Sequence, residues 1–197
     1  MSTKPILIVV SGPSGSGKGT LCRMLRKALP DLVYSISLTT RQPRVNEKNG
    51  VDYIFVSREE FQKHIEAGDF LEWAEVYGNY YGTLRSTVEE NLLAGKDVLL
   101  ELDIQGGQQV KRIFPDAVLI FIMPPSLDEL SKRIIGRGTD DAKTINMRLS
   151  CAPEELLAAR KYDYVVKNDV IERAVQELLT IIKREKSIRE QDKEVST

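Results

Sequence analysis

An apolar run, Ile6-Leu7-Ile8-Val9-Val10, leads straight into Gly12-Pro13-Ser14-Gly15-Ser16-Gly17-Lys18-Gly19-Thr20, and a helical pattern with Leu21, Met24, Leu25 and Leu29 follows at once. Few folds accept this order. A buried strand has to end in a turn tight enough to need glycine, and a helix has to begin inside that turn. Backbone N–H groups at the helix start then converge on one cavity, and Lys18 adds a fixed positive charge, which together make a cradle for nucleotide phosphates. Gly12, Gly17 and Lys18 meet the G-x-x-x-x-G-K spacing. The next position, ordinarily a Ser or Thr that reaches Mg²⁺, is Gly19, with Thr20 one step later, so the loop itself does not name a metal ligand.

The rest of the chain alternates buried strands with helices, as a doubly wound parallel sheet does. The first helix, 18–29, stops at Pro30-Asp31, and 33–38 is a short extended stretch. Residues 39–50 are polar or turn-forming and carry Arg41 and Arg44. From 51 to 84 the pattern is strand-like and aromatic, with a short helix at 59–67 and a Gly78-Asn79 turn, and it predicts a small antiparallel insert. Strands are predicted at 98–104, 117–123 and 164–167, with helices at 86–94, after Gly106-Gly107, from 127, at 142–161 and after Asn168-Asp169. The charged end, from Lys183, is expected to fray.

Composition narrows the function classes. Lys+Arg 28 against Asp+Glu 29 leaves a net charge of -1, so nothing suggests bulk attraction to nucleic acid or to an anionic membrane, and phosphate-binding charge must be local. Cys22 and Cys151 sit among apolar helical residues without C-x-x-C spacing and read as reduced packing thiols of a cytosolic protein. Neither a signal-peptide pattern nor an apolar run approaching the roughly 18 residues of a membrane span is present, so the expected location is the cytoplasm.

Three groups of side chains stand out as chemistry. Glu101 and Asp103 interrupt an apolar strand near its C-terminal end, where ionised carboxylates are costly without a ligand or partner. Arg133 and Arg137 lie four apart around Gly136 and Gly138, and Arg148 follows on the next helix, as in a mobile lid that closes over phosphates. The lone His64 sits among Gln62, Lys63 and Glu66 and reads as solvated. With no histidine base, a phosphate monoester suits the acceptor: its second pKa of about 6 makes it an anionic nucleophile at neutral pH. Arg41 and Arg44 are placed to grip such a monophosphate.

In order and at family spacing, Gly12-Pro13-Ser14-Gly15-Ser16-Gly17-Lys18, Ser37-x-Thr39-Thr40-Arg41-x-Pro43-Arg44, Asn49-Gly50-x-Asp52-Tyr53-x-Phe55-Val56, Gly78-Asn79-Tyr80-Tyr81-Gly82-Thr83, Asp103-Ile104-Gln105-Gly106 and Gly136-Arg137-Gly138 resemble the bacterial-type, single-domain guanylate kinase family over about residues 4 to 185. The resemblance implies an α/β P-loop nucleoside monophosphate kinase: a central parallel sheet flanked by helices, a small antiparallel GMP-binding insert and a helical lid. It implies a core of 4–34 and 85–185, an insert at about 35–84, a lid at about 126–160 and a charged tail at 186–197. The implied reaction is ATP + GMP to ADP + GDP with Mg²⁺, on GMP and dGMP.

Carried over by position, the resemblance puts the GMP phosphate on Arg41, Arg44, Tyr53 and Tyr81, and the guanine on Ser37, Glu72 and Thr83 with Asp103 nearby. Lys18, Arg133, Arg137 and Arg148 are the implied catalytic residues. Residues 12–20 and Asn168, the latter near adenine, are the implied ATP contacts. Many members have Ser or Thr in place of Gly19 and often Asp in place of Glu101, and Gly19-Thr20 is more like adenylate kinase. Two other readings stand beside this one: a kinase for another monophosphate such as AMP, and a non-catalytic guanylate-kinase-like binding module.

Overall fold

The computed structural model describes residues 4–45, 47–136, 138 and 141–195. The first half runs β1 (Leu7–Ser11), α1 (Lys18–Ala28), β2 (Val33–Tyr34), β3 (Leu38–Thr39), β4 (Ile54–Phe55), α2 (Arg58–Ala67), β5 (Phe70–Val76), β6 (Asn79–Leu84) and α3 (Arg85–Leu93). The second half runs β7 (Val98–Glu101), α4 (Ile104–Ile113), β8 (Val118–Met123), α5 (Leu127–Gly136), α6 (Ala142–Leu157), a 3-10 turn (Ala158–Lys161), β9 (Tyr164–Lys167) and α7 (Ile171–Val195). Among the described residues no helix is long and apolar enough to cross a membrane.

A five-stranded sheet in the order β2-β7-β1-β8-β9 forms the centre, and every pair in it is parallel. Its strands read as unbroken apolar runs because both faces are covered. Alternation along each strand then sends side chains to opposite sides. Ile8, Val10, Leu99, Ile120 and Val166 pack with Leu21 and Leu25 of α1 and Ala174 and Leu178 of α7. Leu7, Val9, Leu100, Leu119 and Phe121 pack on the other side with Val88 of α3 and Val110 of α4.

The extended stretch at 33–38 divides between two sheets. Val33 and Tyr34 join β7, and Leu38 and Thr39 open a four-stranded sheet in the order β4-β3-β6-β5. That second sheet is mixed rather than antiparallel, because β3 and β4 run parallel while β3–β6 and β5–β6 are antiparallel. Helix α2 closes it over a small core of Leu38, Phe61 and Phe70, the two rings stacking at 4.5 Å. In β5 the register shifts between Phe70 and Glu72, as at a β-bulge. Three consecutive residues are therefore buried. Phe70 enters the second sheet's core, Leu71 joins the main core, and Glu72 turns towards α4, where its carboxylate crowds Gly106.

Other expectations need correction. Strand β7 ends at Glu101, and Asp103 is the N-cap of α4, accepting from the N–H groups of Gln105 (2.7 Å) and Gly106 (3.0 Å). The turn of the β5–β6 hairpin is Tyr77-Gly78, with Asn79 already paired to Val76. The charged end does not fray from Lys183 but continues α7 to Val195. Side chains anchor it: Tyr164 donates to Glu185 (2.6 Å), Arg189 to the Asp116 carbonyl (2.6 Å), and Lys186 pairs with Asp97.

Gly82, opposite Trp73 in the second sheet, has the rings of Phe70 and Phe61 where a side chain would go: an added Cβ would stand 2.7 Å from Phe70 and 3.0 Å from Phe61. Gly82→Ala therefore overpacks that core. Thermal or denaturant unfolding is expected to show a loss of about 1–3 kcal/mol; unchanged stability would mean that the aromatic pair yields freely.

Candidate functional site

The P-loop lies at the C-terminal edge of the central sheet, between β1 and α1. Gly17 caps the helix in a left-handed conformation, φ 95°, and no acidic residue occupies the first turn, so the helix N-terminus keeps its positive end for an anion. Gly17 is required on a second ground: a Cβ there would collide with the Asn168 side chain. Asn168, just after β9, is buried and donates through Nδ2 to the Ser16 carbonyl at 2.7 Å. Arg133 of α5 donates to the Asn168 carbonyl at 3.1 Å. Lys18 Nζ bridges the loop's own ends, on the carbonyls of Gly12 (2.7 Å) and Pro13 (3.1 Å). Arg148 of α6 donates to Ser14 Oγ at 2.6 Å. The Ser16 hydroxyl is buried without a hydrogen-bond partner.

Across a cleft of about 570 Å³ lie the second sheet and its polar loop. Arg41 and Arg44 both meet Glu47 there, at 2.9 and 3.6 Å, and Arg41 Nε donates to Tyr81 Oη at 3.2 Å. The Tyr53 ring lies 5.9 Å from that of Tyr81 and 5.4 Å from the Arg41 guanidinium carbon. All four residues expected around one phosphate are thus gathered, with an internal carboxylate between the arginines. Burial alone would raise the pKa of Glu47, but the hydrogen bond from Arg41, the Arg44 N–H and both guanidinium charges outweigh it and hold Glu47 below the usual carboxylate range. Sequence reasoning missed Glu47, although a carboxylate three after Arg44, in a loop with little besides Val45 to bury, was a signal.

Deeper in the cleft, Ser37 and Thr83 approach with hydroxyls 3.4 Å apart, and Glu72 lies with them, 3% exposed. Burial foremost pushes the Glu72 carboxyl up to about 7; a hydrogen bond from Thr83 opposes this and the nearby charge of Asp103 adds to it. Asp103 lines the same cleft, but its Oδ1 is engaged by the α4 N-terminus.

Glu101 and Gly19, the two departures from the family pattern, stand against each other: a Cβ on Gly19 would lie 3.4 Å from Glu101 Oε1. The missing side chain at 19 leaves room for the longer carboxylate. Tyr34 Oη donates to Glu101 Oε2 at 3.3 Å, and Thr20 is exposed on the same rim. Burial, then Glu101, pushes the Cys22 thiol up, which keeps it protonated. Among the described residues no group of three or more His, Cys, Asp or Glu gathers as a metal site. His64 is outside the cleft and pairs with Asp69 at 2.7 Å. Arg137 lies outside the described residues.

A Gly-rich loop closing on a helix N-terminus, at the edge of a five-stranded parallel sheet and facing a basic clamp, defines a P-loop kinase. The family model for guanylate kinase matches residues 3–185. A guanylate kinase of Desulfitobacterium hafniense is 55% identical over 92% of this chain and 90% of its own, and one from Shouchella clausii is 51% identical over 95% and 91%. The crystal structure of guanylate kinase from Anaplasma phagocytophilum superposes with a TM-score of 0.78 at 36% identity, covering 94% of this chain and 88% of that one. The chain belongs to the guanylate kinase family.

The geometry around Ser16 makes Asn168 a brace of the loop. Asn168→Ala removes the shorter of two donors to a buried carbonyl, leaving Arg133 at 3.5 Å, and the expected cost is about 1–3 kcal/mol in unfolding experiments. The loop loosens with it, so nucleotide-dependent stabilisation in a thermal-shift titration should shrink as well. A variant with unaltered melting and unaltered nucleotide response would show that Ser16 needs no brace.

Proposed function

We propose that this protein is a guanylate kinase, which transfers the γ-phosphoryl group of ATP to GMP or dGMP and releases ADP and GDP or dGDP. The observation that carries the reading is the buried trio Ser37, Glu72 and Thr83 beside the Arg41–Arg44–Tyr53–Tyr81 clamp, across the cleft from the P-loop. Guanine N1–H and its 2-amino group are donors, and an ionised Glu72 accepts both; adenine has no donors there. The clamp takes the acceptor phosphate, with its oxygens replacing Glu47 as partners of Arg41 and Arg44.

Residues 12–20 take the ATP phosphates, with Lys18 and the helix N-terminus neutralising charge that builds as the phosphoryl group moves. Arg133, Arg137 and Arg148 add positive charge from the α5–α6 side, which in this reading is a lid over about 126–160 that also excludes water. The insert spans about 35–84 and the core 4–34 and 85–185. Asn168 acts by holding the loop. Proton transfer asks nothing of the protein, since the attacking phosphate oxygen is already anionic.

The residues present fit Mg²⁺ arriving with ATP rather than in a resident cage: the rim offers one carboxylate, Glu101, and one hydroxyl, Thr20, beside the phosphate loop. When bound, Mg²⁺ neutralises oxygens of the transferring phosphates. The net charge of -1, with its positive charge focused in the cleft, supports small-molecule substrates and a cytoplasmic setting over nucleic acid or membrane partners.

The test is ADP release from Mg-ATP with GMP, dGMP, AMP, CMP, UMP or dTMP as acceptor. Turnover confined to GMP and dGMP upholds the reading; preference for AMP overturns the base pocket, and silence with every acceptor leaves a binding module. The Glu72 carboxyl supplies a pH signature. Its pKa of about 7 in the free protein means that the accepting, ionised form is lost as pH falls through 7. Guanosine, which carries no phosphate to titrate, should bind roughly tenfold more weakly at pH 6 than at pH 8 by calorimetry, and Glu72→Gln should bind weakly at both. The effect on folding has the opposite sign. A raised carboxyl pKa adds stability at pH values below the unfolded pKa and loses it as pH rises through about 7. A flat guanosine profile would remove Glu72 from the base pocket.

A further inference from the structure

The β5–β6 hairpin turns through Tyr77-Gly78, with Val76 paired to Asn79, and both central residues have positive φ, 51° and 78°. Two-residue turns of this kind favour Asn or Asp before the glycine, because those residues tolerate the left-handed region. Tyrosine is a poor choice locally. Among the described residues it is the sole non-glycine with positive φ, so a contact elsewhere must favour it.

Tyr77 makes two such contacts, both with helix α6. Its hydroxyl donates to Glu155 Oε1 at 3.0 Å, and the Arg148 guanidinium carbon lies 5.0 Å from its ring centroid. Arg148 and Glu155 are seven apart, hence on one face of the helix two turns from each other. Arg148 continues the chain of contacts to Ser14 Oγ in the P-loop, at 2.6 Å. The same hairpin carries Glu72, Tyr81 and Thr83. A single side chain at its tip therefore spans from the strands of the acceptor pocket to the helix that brings an arginine to the donor loop.

We propose that Tyr77 is a positioning residue: it clasps the tip of the GMP-binding hairpin to α6, so that filling the acceptor pocket orders α6 and fixes Arg148 over the P-loop. The inference rests on the guanylate kinase reading, and deepens it by naming how the two halves of the site are coupled. The ring holds the guanidinium from below by cation–π attraction, and the phenol–carboxylate bond sets the hairpin's height along the helix. Tyr77 and Glu155 both line the cleft, but the contacts that carry the clasp run to each other and to Arg148. The clasp acts on the geometry of Arg148, so its loss falls chiefly on turnover, and GMP affinity changes only by the small amount that ordering α6 couples to binding.

Three variants separate this from a structural role: Tyr77→Phe keeps the ring, Glu155→Gln keeps the volume, and Tyr77→Asn installs a residue the turn prefers. Each is expected to lower kcat about 3- to 10-fold while both KM values stay within about twofold, and Tyr77→Phe with Glu155→Gln together should lose no more than the worse of the two. Tyr77→Asn should melt at or above the wild-type temperature, so that its slower turnover cannot be ascribed to unfolding. Hydrogen exchange supplies a readout free of turnover: GMP alone should protect α6 amides in the wild type and not in Tyr77→Asn. Wild-type kcat in all three, losses confined to KM, additive losses, or equal protection of α6 with and without the tyrosine would each overturn the clasp. A wild type with neither GMP turnover nor GMP-dependent protection would instead overturn the guanylate kinase reading, and the clasp with it.

Discussion

The Ser16 carbonyl is the joint from which the donor side of the cleft hangs. It accepts from Asn168 at 2.7 Å and from Arg133 at 3.5 Å, which ties the loop to β9 and to α5. Asn168 holds it with a buried amide, and occupies the volume that Gly17 leaves by having no side chain. That arrangement dictates topology. Strand β9 must lie beside β8 for Asn168 to arrive beneath the loop, its own N–H bonded to the Met123 carbonyl, and α5 must pass close enough for Arg133 to fix the Asn168 backbone. Loop, strand order and the path of α5 are thus one constraint met in three places.

The acceptor side solves a different problem, the repulsion between two arginines set three apart in a polar loop. Glu47 bridges them, and the tyrosines of β6 and of the segment before β4 wall in the group. The two guanidinium groups are therefore organised around an internal anion. In the proposed reading a bound phosphate would replace one anion by another, and the exchange would avoid much of the desolvation that two bare guanidinium groups suffer on being buried.

What the sequence disclosed follows the range of the forces involved. The central sheet was legible because strands covered on both faces must be apolar throughout, and the P-loop because only glycines permit its turn. The second sheet was legible as strands but not as pairings: β3 and β4 are two residues each, too short for a period, and their parallel match is set by the loop between them. Asp103 looked like a strand carboxylate, since a residue just past β7 and an α4 N-cap differ by a single dihedral choice that flanking apolar residues do not report. Glu47 had its partners Arg41 and Arg44 in its own loop and was missed in spite of that spacing. Tyr77, by contrast, acts through Arg148 and Glu155, far along the chain, and local patterns are silent about such partners. The persistence of α7 has the same origin: Glu185, Lys186 and Arg189 look like solvated charge until Tyr164, Asp97 and Asp116 are known to face them.

The proposed base pocket ties a small backbone irregularity to chemistry. Phe70 and Leu71 go to different cores, as alternation along β5 requires; the register shift that follows leaves Glu72 buried as well, in the cleft beside α4. Asp103 lines the same cleft and was the more obvious carboxylate, but it caps α4 and accepts from the Gln105 and Gly106 N–H groups. Asp103 is committed to a backbone partner, whereas Glu72 is buried without a cation and sits near the midpoint of its titration at neutral pH. In the proposed reading, a group in that state would discriminate by protonation: ionised, it would accept from guanine; neutral, it would offer a proton that an adenine ring nitrogen can take. Guanine would supply the two donors that make the ionised form favourable, so the correct base would itself draw the proton off Glu72. Selectivity would then arise from a coupling between binding and ionisation, with its strength set by the burial of Glu72.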